Sequence, residues 1–514
     1  MLNSKLKDNP NHAADKPWIL MKFGGSSVSE PKHWETISKQ VQSQLQQGNR
    51  PLIVLSALKN VSNLLESLLH QALAGVYSNA IFHLKEFHFN LASKLTINAA
   101  EQLEPWFHQL ESNCQAIFQQ QRISPKMHAS VLAIGELLSS TIGAIYLNQS
   151  DELSSCWIDA RQLLKSHHSA DFDDDSWHHY MSAECRYRYD DSLCKKLARL
   201  AENNSALVTQ GFIASDRNHS TVLLGREGSD TSAAYLAAKI GAKEIQIWTD
   251  VPGVFSCNPQ NNPKAKQLQQ LHYLEAMQMA KMGAKVLHPR AIDPAQRHSI
   301  PIRVKSTQLP SEKGTIINST VSKRTKMKAV VSETKVLAVS ITGVSDIPEA
   351  QENHPYLKTL SSIGFDLLLQ SDIENQEQKI WVLKYTNSDI QEPSIRQIQA
   401  LLDSCNTDNT GQVSFRNNLS IISIIGRPNC LDWLDSVSNN LERHIVSLDK
   451  KLEDNVASTQ DFCYQLLKKP TSGLVSLLVA RDNCLALEAM LHHDIIDSVE
   501  SAQYFGQDWL CFFK

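Results

Sequence analysis

At 514 residues the chain is long enough for several cores, and its 42% apolar and 20% charged residues are ordinary for a globular protein. The 50 Lys and Arg against 54 Asp and Glu leave a formal charge of −4, which argues against a nucleic-acid partner or an anionic membrane surface. Ten cysteines lie scattered without a CxxC pair, as reduced thiols of a cytoplasmic protein would, and no signal peptide or membrane-spanning apolar run is read.

Residues 1–16 are polar and read as a disordered tail. In "WILMKFGGSS", Lys22 closes a short apolar strand and Gly24, Gly25 and Ser26 follow. That is either a tight surface turn or a phosphate cradle, in which side-chain-free residues let backbone N–H groups approach an anion. The spacing is not that of a Walker loop. Strands at Ile19–Phe23 and Leu52–Leu55 flank a helix from Pro31 to Gln47, a β-α-β unit with parallel strands. Helical spacing continues after Ser62 as far as "RISP", and "MHASVLAIGELLSSTIGAIYLN" reads as a buried helix with one carboxylate, Glu136.

Short strands follow at "CWIDA", "ALVTQGFIA", "VLLG" and "IQIWTD", with helices at Ser192–Glu202 and Thr231–Ile240 between them, an alternation that predicts a mainly parallel α/β sandwich. In "LLGREGSDTSAAYLAAKIGA" Asp230 and Thr231 fall where helix caps stand. Arg226 carries a planar fork that matches a carboxylate. "IWTDVPGVFSCNP" leaves its strand through Pro252 and Gly253, at the end where open α/β sheets place ligands, so Thr249, Asp250 and Phe255 become nucleotide candidates. Lys285 in "MGAKVLHPRAI" is either a surface lysine or, with Lys22, half of a clamp on a phosphoryl group. "SHHSADFDDDSWHH" is rich in His and Asp but lacks regular ligand spacing and reads as a solvated flap.

The α/β domain is expected over 17–317 and a linker over 318–335. Beyond it "VLAVSITG", "FDLLLQS", "KIWVLKYT", "LSIISIIG", "FCYQLLKK" and "GLVSLLVA" alternate with helical segments in two similar rounds, placed at 336–412 and 413–514 as a duplication.

In this order, "KFGGSSV", "VLSALKNVSNLL", "AIGELLS", "WIDAR", "TQGFIASD", "GREGSDTSAAYLA", "IWTDVPGVFSCNP" and "MGAKVLHPRAI" resemble the aspartate kinases, a branch of the amino-acid kinase family, over about residues 17–490. The resemblance implies a three-layer α/β sandwich followed by two ferredoxin-like ACT domains. It also implies transfer of the ATP γ-phosphoryl group, with Mg²⁺, to the side-chain carboxylate of L-aspartate, the entry to lysine, threonine and methionine biosynthesis.

By the same resemblance Lys22 and Lys285 touch the transferring phosphoryl and the nucleotide, Gly24, Gly25 and Ser26 cradle phosphate, and Asp230 anchors the reacting groups. Thr249, Asp250 and Phe255 flank the nucleotide. Glu136 pairs with the substrate ammonium, Arg226 with its α-carboxylate, and Ser56 and Ser62 complete the substrate set. Asp366, Ser371 and Asp372 become effector candidates, lysine before threonine, and the ACT pair implies a homodimer or higher homo-oligomer. Four positions depart from the family pattern: Asn60 and Glu227 where glycine is usual, Phe255 for tyrosine, and Gln260 near an arginine position. They keep open a catalytically impaired, effector-binding protein, beside a relative with another carboxylate substrate. The chain could also be part of a longer bifunctional protein.

Overall fold

The computed structural model describes residues 16–149, 152–167, 176–284, 287–321, 327–342, 355–372, 378–386, 394–404, 412–428, 437, 465–469, 473–497 and 505–512. They fall into two compact units, one of residues 1–253 and 290–319, the other of residues 254–289 and 320–514.

In chain order the first unit contributes β1 (Trp18–Phe23), β2 (Arg50–Leu55), β3 (Ser155–Trp157), β4 (Ala206–Gln210), β5 (Ile213–Ser215), β6 (Thr221–Leu223) and β7 (Glu244–Thr249). The chain then lends β8 (Val254–Phe255), β9 (Lys266–Leu268) and β10 (Gln270–His272) to the second unit and returns for β11 (Ile302–Ser306) and β12 (Thr315–Asn318). The order β12-β11-β7-β1-β2-β4-β3 is parallel except at the β11–β12 edge, as the predicted alternation of strands and helices required. Strands β1 and β2 are buried almost throughout, which is why they read as unbroken apolar runs.

Several elements depart from expectation. "ALVTQGFIA" is two strands, because the chain turns at Gly211 and Phe212, the latter with φ of +66°. A Cβ at Gly211 would lie 2.5 Å from the Ser229 Cβ, so only glycine admits the start of the helix Gly228–Ile240 so closely. The apolar stretch Pro125–Leu147 is, contrary to the reading above, long and apolar enough to cross a membrane. Its window is 83% buried within the protein, which marks a core helix pair, Pro125–Leu132 and Ile134–Leu147.

The second unit is built on one antiparallel sheet of β13 (Met327–Thr342), β14 (Phe365–Asp372), β15 (Gln378–Tyr385), β16 (Gln412–Gly426), β17 (Gln465–Lys469) and β18 (Leu474–Ala480), ordered β14-β15-β13-β16-β18-β17. Helices Pro355–Ser362 and Ile395–Ser404 complete a ferredoxin-like half with β13 to β16, cored by Leu337, Val339, Leu360, Phe365 and Trp381. The helix Cys484–His492 belongs to the other half.

The boundaries expected at 318–335 and 412/413 are corrected here. Residues 327–335 are strand, not linker, because Met327–Thr334 pairs with Gly426–Ser420 of the second half, while Val336–Thr342 pairs with Leu419–Gln412 of the first. Each long strand therefore serves both halves. The pairing shifts register where they meet, and Lys335 (φ +62°) and Asn418 (φ +55°) are left-handed there. The helix expected over "LDWLDSVSNNLER" lies almost wholly outside the described residues. A last strand, β19 (Phe505–Asp508), pairs antiparallel with β9.

Candidate functional site

The carboxyl ends of β1, β2, β4, β7 and β11 lie side by side, with Phe23 in register with Leu55 and Trp248, Leu55 with Gln210, and Thr249 with Ser306. Beyond those ends the chain turns sharply at each strand, the place where α/β sheets bind ligands. The turn after β1 is fixed from both sides: Gly24 N–H donates to the Trp248 carbonyl at 3.0 Å, and Ser27 Oγ lies 2.7 Å from Thr307 Oγ1. A Cβ at Gly25 would stand 2.8 Å from the Ala57 carbonyl oxygen, so the close approach of β1 and β2 demands glycine. Gly24 uses its N–H inside the fold, while the N–H groups of Gly25 and Ser26, at the head of the turn Gly25–Val28, meet no acceptor among the described residues.

Lys22 is 9% exposed and its Nζ lies 2.6 Å from Asp230 Oδ1, in the first turn of the buried helix Gly228–Ile240. Asp230 is 6% exposed, so the pair is largely desolvated and each charge depends on the other. Glu136 stands at the head of the helix Ile134–Leu147 and is 3% exposed. Its Oε1 accepts from Ala57 N–H at 3.2 Å, while no partner reaches Oε2 among the described residues. Burial pushes its carboxyl up to about 8, against the opposing pull of the Ala57 hydrogen bond and the Lys22 charge. Ser139 Oγ donates to the Ser56 carbonyl at 2.7 Å and ties this helix to the end of β2. Gly135 presses on Ala57, where a Cβ would come within 2.9 Å of its methyl carbon.

Of the residues singled out in the sequence, Lys22, Gly24, Gly25, Ser26, Ser56, Glu136, Asp230 and Thr249 therefore sit at or next to these strand ends. Asp250 is exposed there and accepts from Thr249 Oγ1 at 3.1 Å. Arg226 is exposed on the loop before the helix Gly228–Ile240, and Ser62 is exposed on the helix Val61–Leu73. Lys285 lies outside the described residues. Phe255 departs from expectation: it is 4% exposed, packed with Cys257 and Ala265 and edge-on to Trp509 and Phe512, so neither ring face is open to a base. The reason is β19, which brings those two aromatic rings onto it.

Asp366 is exposed on β14 opposite Lys384, whose ammonium pairs with Glu333; Ser371 is buried, and Asp372 ends that strand. Asn60 has φ of +69° and Glu227 φ of +53°, the left-handed region that glycine enters at least cost. Sequence reasoning passed over Ser27, Thr307 and Ser139, which build the turns; "VKST" and "GELLS" held the signal, but nothing local marks such long-range bonds.

A family model described as the amino acid kinase family matches residues 17–306. The bifunctional aspartokinase/homoserine dehydrogenase of Buchnera aphidicola subsp. Acyrthosiphon pisum is 26% identical over 507 residues, covering 95% of this chain and 57% of its own length. Lysine-sensitive aspartokinase 3 of Escherichia coli is 29% identical over 308 residues, 58% of this chain and 64% of its own. The chain thus spans less than two thirds of either relative. Among solved structures, E. coli aspartokinase III in complex with aspartate and ADP has a TM-score of 0.72 at 22% identity, covering 93% of this chain and 99% of that one, a likeness of fold. Since the matched span takes in more than half the chain and every strand end from β1 to β11, this protein belongs to the amino acid kinase family.

Proposed function

We propose that the chain is an aspartate kinase, which transfers the γ-phosphoryl group of ATP to the side-chain carboxylate of L-aspartate and gives 4-phospho-L-aspartate. One observation carries the choice of substrate: a buried carboxylate, Glu136, with an unpartnered oxygen at the strand ends. A buried carboxylate in want of a partner suits an ammonium, and an α-amino acid brings one. The aspartokinases to which the chain is similar support the same reading.

In this reading a carboxylate oxygen of aspartate attacks the γ-phosphorus and the bond to the β,γ-bridging oxygen breaks, with ADP as the leaving group. The nucleophile is already an anion, so no general base is needed, and the rate comes from positioning and charge neutralisation. Gly25 and Ser26 N–H would meet phosphate oxygens, with Lys22 swinging from Asp230 to the transferring group. Thr249 and Asp250 would flank the nucleotide, and Lys285 is the proposed second lysine. Mg²⁺ would arrive with the nucleotide, held mainly by phosphate oxygens and water, and would neutralise the polyphosphate. The donor set fits that: Asp230 is the carboxylate nearest Lys22, and no group of three or more His, Cys, Asp or Glu is arranged to hold a metal by itself among the described residues.

Arg226, Ser56 and Ser62 complete the proposed aspartate pocket. Arg226→Ala should raise the aspartate KM and leave the ATP KM near its starting value, because only the substrate carboxylate loses its partner. A rise in ATP KM alone would remove Arg226 from that role. Lysine, then threonine, is the proposed effector of the ferredoxin-like halves, through Asp366, Ser371 and Asp372, and a cytoplasmic homodimer is the proposed assembly. A hydroxamate assay with aspartate, ATP and Mg²⁺, run with and without lysine and threonine, tests the whole reading. No aspartate-dependent product in that assay refutes it.

A further inference from the structure

The residues on either side of Arg226 both hold a left-handed backbone, Gly225 with φ of +76° and Glu227 with φ of +53°. A turn strained in this way persists only where neighbouring structure holds it. On the far side, Gly228 N–H donates to the Gly225 carbonyl at 3.0 Å and opens the helix Gly228–Ile240. On the near side the anchor is Leu224, the residue after β6, whose N–H donates to the Phe212 carbonyl at 2.8 Å. The Leu224 carbonyl accepts from Arg290 Nη1, also at 2.8 Å.

Arg290 stands in the first turn of the helix Pro289–Arg297, and its fork joins two segments of the first unit. Besides Leu224, Nη1 donates to Ser182 Oγ at 3.2 Å, and Nη2 donates to the Ala183 carbonyl at 2.7 Å. Ala183 N–H in turn donates to the Leu223 carbonyl at 2.8 Å, so the guanidinium closes a ring of bonds around the end of β6. The fit is close: a Cβ at Gly225 would stand 3.0 Å from Ser182 Oγ and 3.2 Å from Arg290 Nη1. A planar fork serves carbonyls on two segments at once, whereas an ammonium on a flexible stem does not hold both in one geometry.

We infer that Arg290 is the positioning residue for Arg226, fixing the turn that presents the substrate-binding guanidinium while touching no substrate itself. The inference rests on Arg226 gripping the α-carboxylate of aspartate, as proposed above. Arg290→Lys should raise the aspartate KM about threefold to thirtyfold and leave the ATP KM unchanged. Ser182→Ala, which removes a single acceptor, should act in the same direction by about twofold. The decisive comparison is a double-mutant cycle with Arg226→Ala. If Arg290 works through Arg226, Arg290→Lys adds nothing to the aspartate KM once Arg226→Ala is present, whereas a general loss of structure multiplies the two effects. Multiplied effects, or an aspartate KM unmoved by both Arg290→Lys and Ser182→Ala, overturn the inference and leave the role of Arg226 standing. An aspartate KM unmoved by Arg226→Ala removes that role, and the positioning by Arg290 with it.

Discussion

Glu136 sets the pH behaviour of the site. Its carboxyl is held near 8 when folded, against an ordinary 4.5, so the folded apo-protein keeps a proton that the unfolded chain releases. The stability this lends is fully present below about 4.5 and is lost as pH rises through about 8. Thermal melts of the apo-protein between those limits should show Tm falling with pH, and Glu136→Gln should flatten that slope. Substrate binding runs the other way, since an ammonium wants the ionised form: the aspartate KM should fall as pH rises toward 8, and Glu136→Gln should raise it at every pH. Lys22 is held beside Asp230 in a largely desolvated pair. Lys22→Ala should cut kcat by about 10²–10³-fold, and Lys22→Arg should restore the melting temperature more than the rate, because a guanidinium fork does not reproduce a point charge. Glu227 carries a left-handed backbone that favours glycine, so Glu227→Gly should stabilise the fold by about 1 kcal/mol, read by denaturant titration.

At the scale of elements, the apolar periodicity of β1, β2, β7 and the core helices was legible because burial on both faces leaves no other pattern available. The phosphate turn was legible as Gly-Gly-Ser-Ser, but the division of labour within it was not. That Gly24 bonds to Trp248 depends on a strand more than two hundred residues away. Gly25→Ala places a methyl group 2.8 Å from a backbone oxygen that cannot yield. The expected outcome is a raised ATP KM together with a lowered Tm, measured on the same preparation. Phe255 misled for a related reason: its motif pointed outward, and the residues that cover it lie at 505–512, beyond any local signal. Where β13 and β16 trade partners, Lys335 holds a strained left-handed backbone, and Lys335→Gly should raise Tm in a thermal melt.

At the scale of the molecule, the sequence read well as an α/β domain followed by α+β structure, since alternation of strands and helices survives without knowledge of contacts. The partition between them did not, because residues 254–289 and 505–512 fold with parts of the chain far removed in sequence. Two strands that each run through both halves have a practical consequence for anyone dividing this chain. A fragment cut at Val336 strips the second half of its outer neighbour along β16, and one ended at Gln412 deprives the first half of an entire edge. Both products would bare rows of unsatisfied backbone amides, the template for sticking to one another. Along β13 and β16 the two halves hold their strands in common, so neither keeps a whole sheet once the other is cut away.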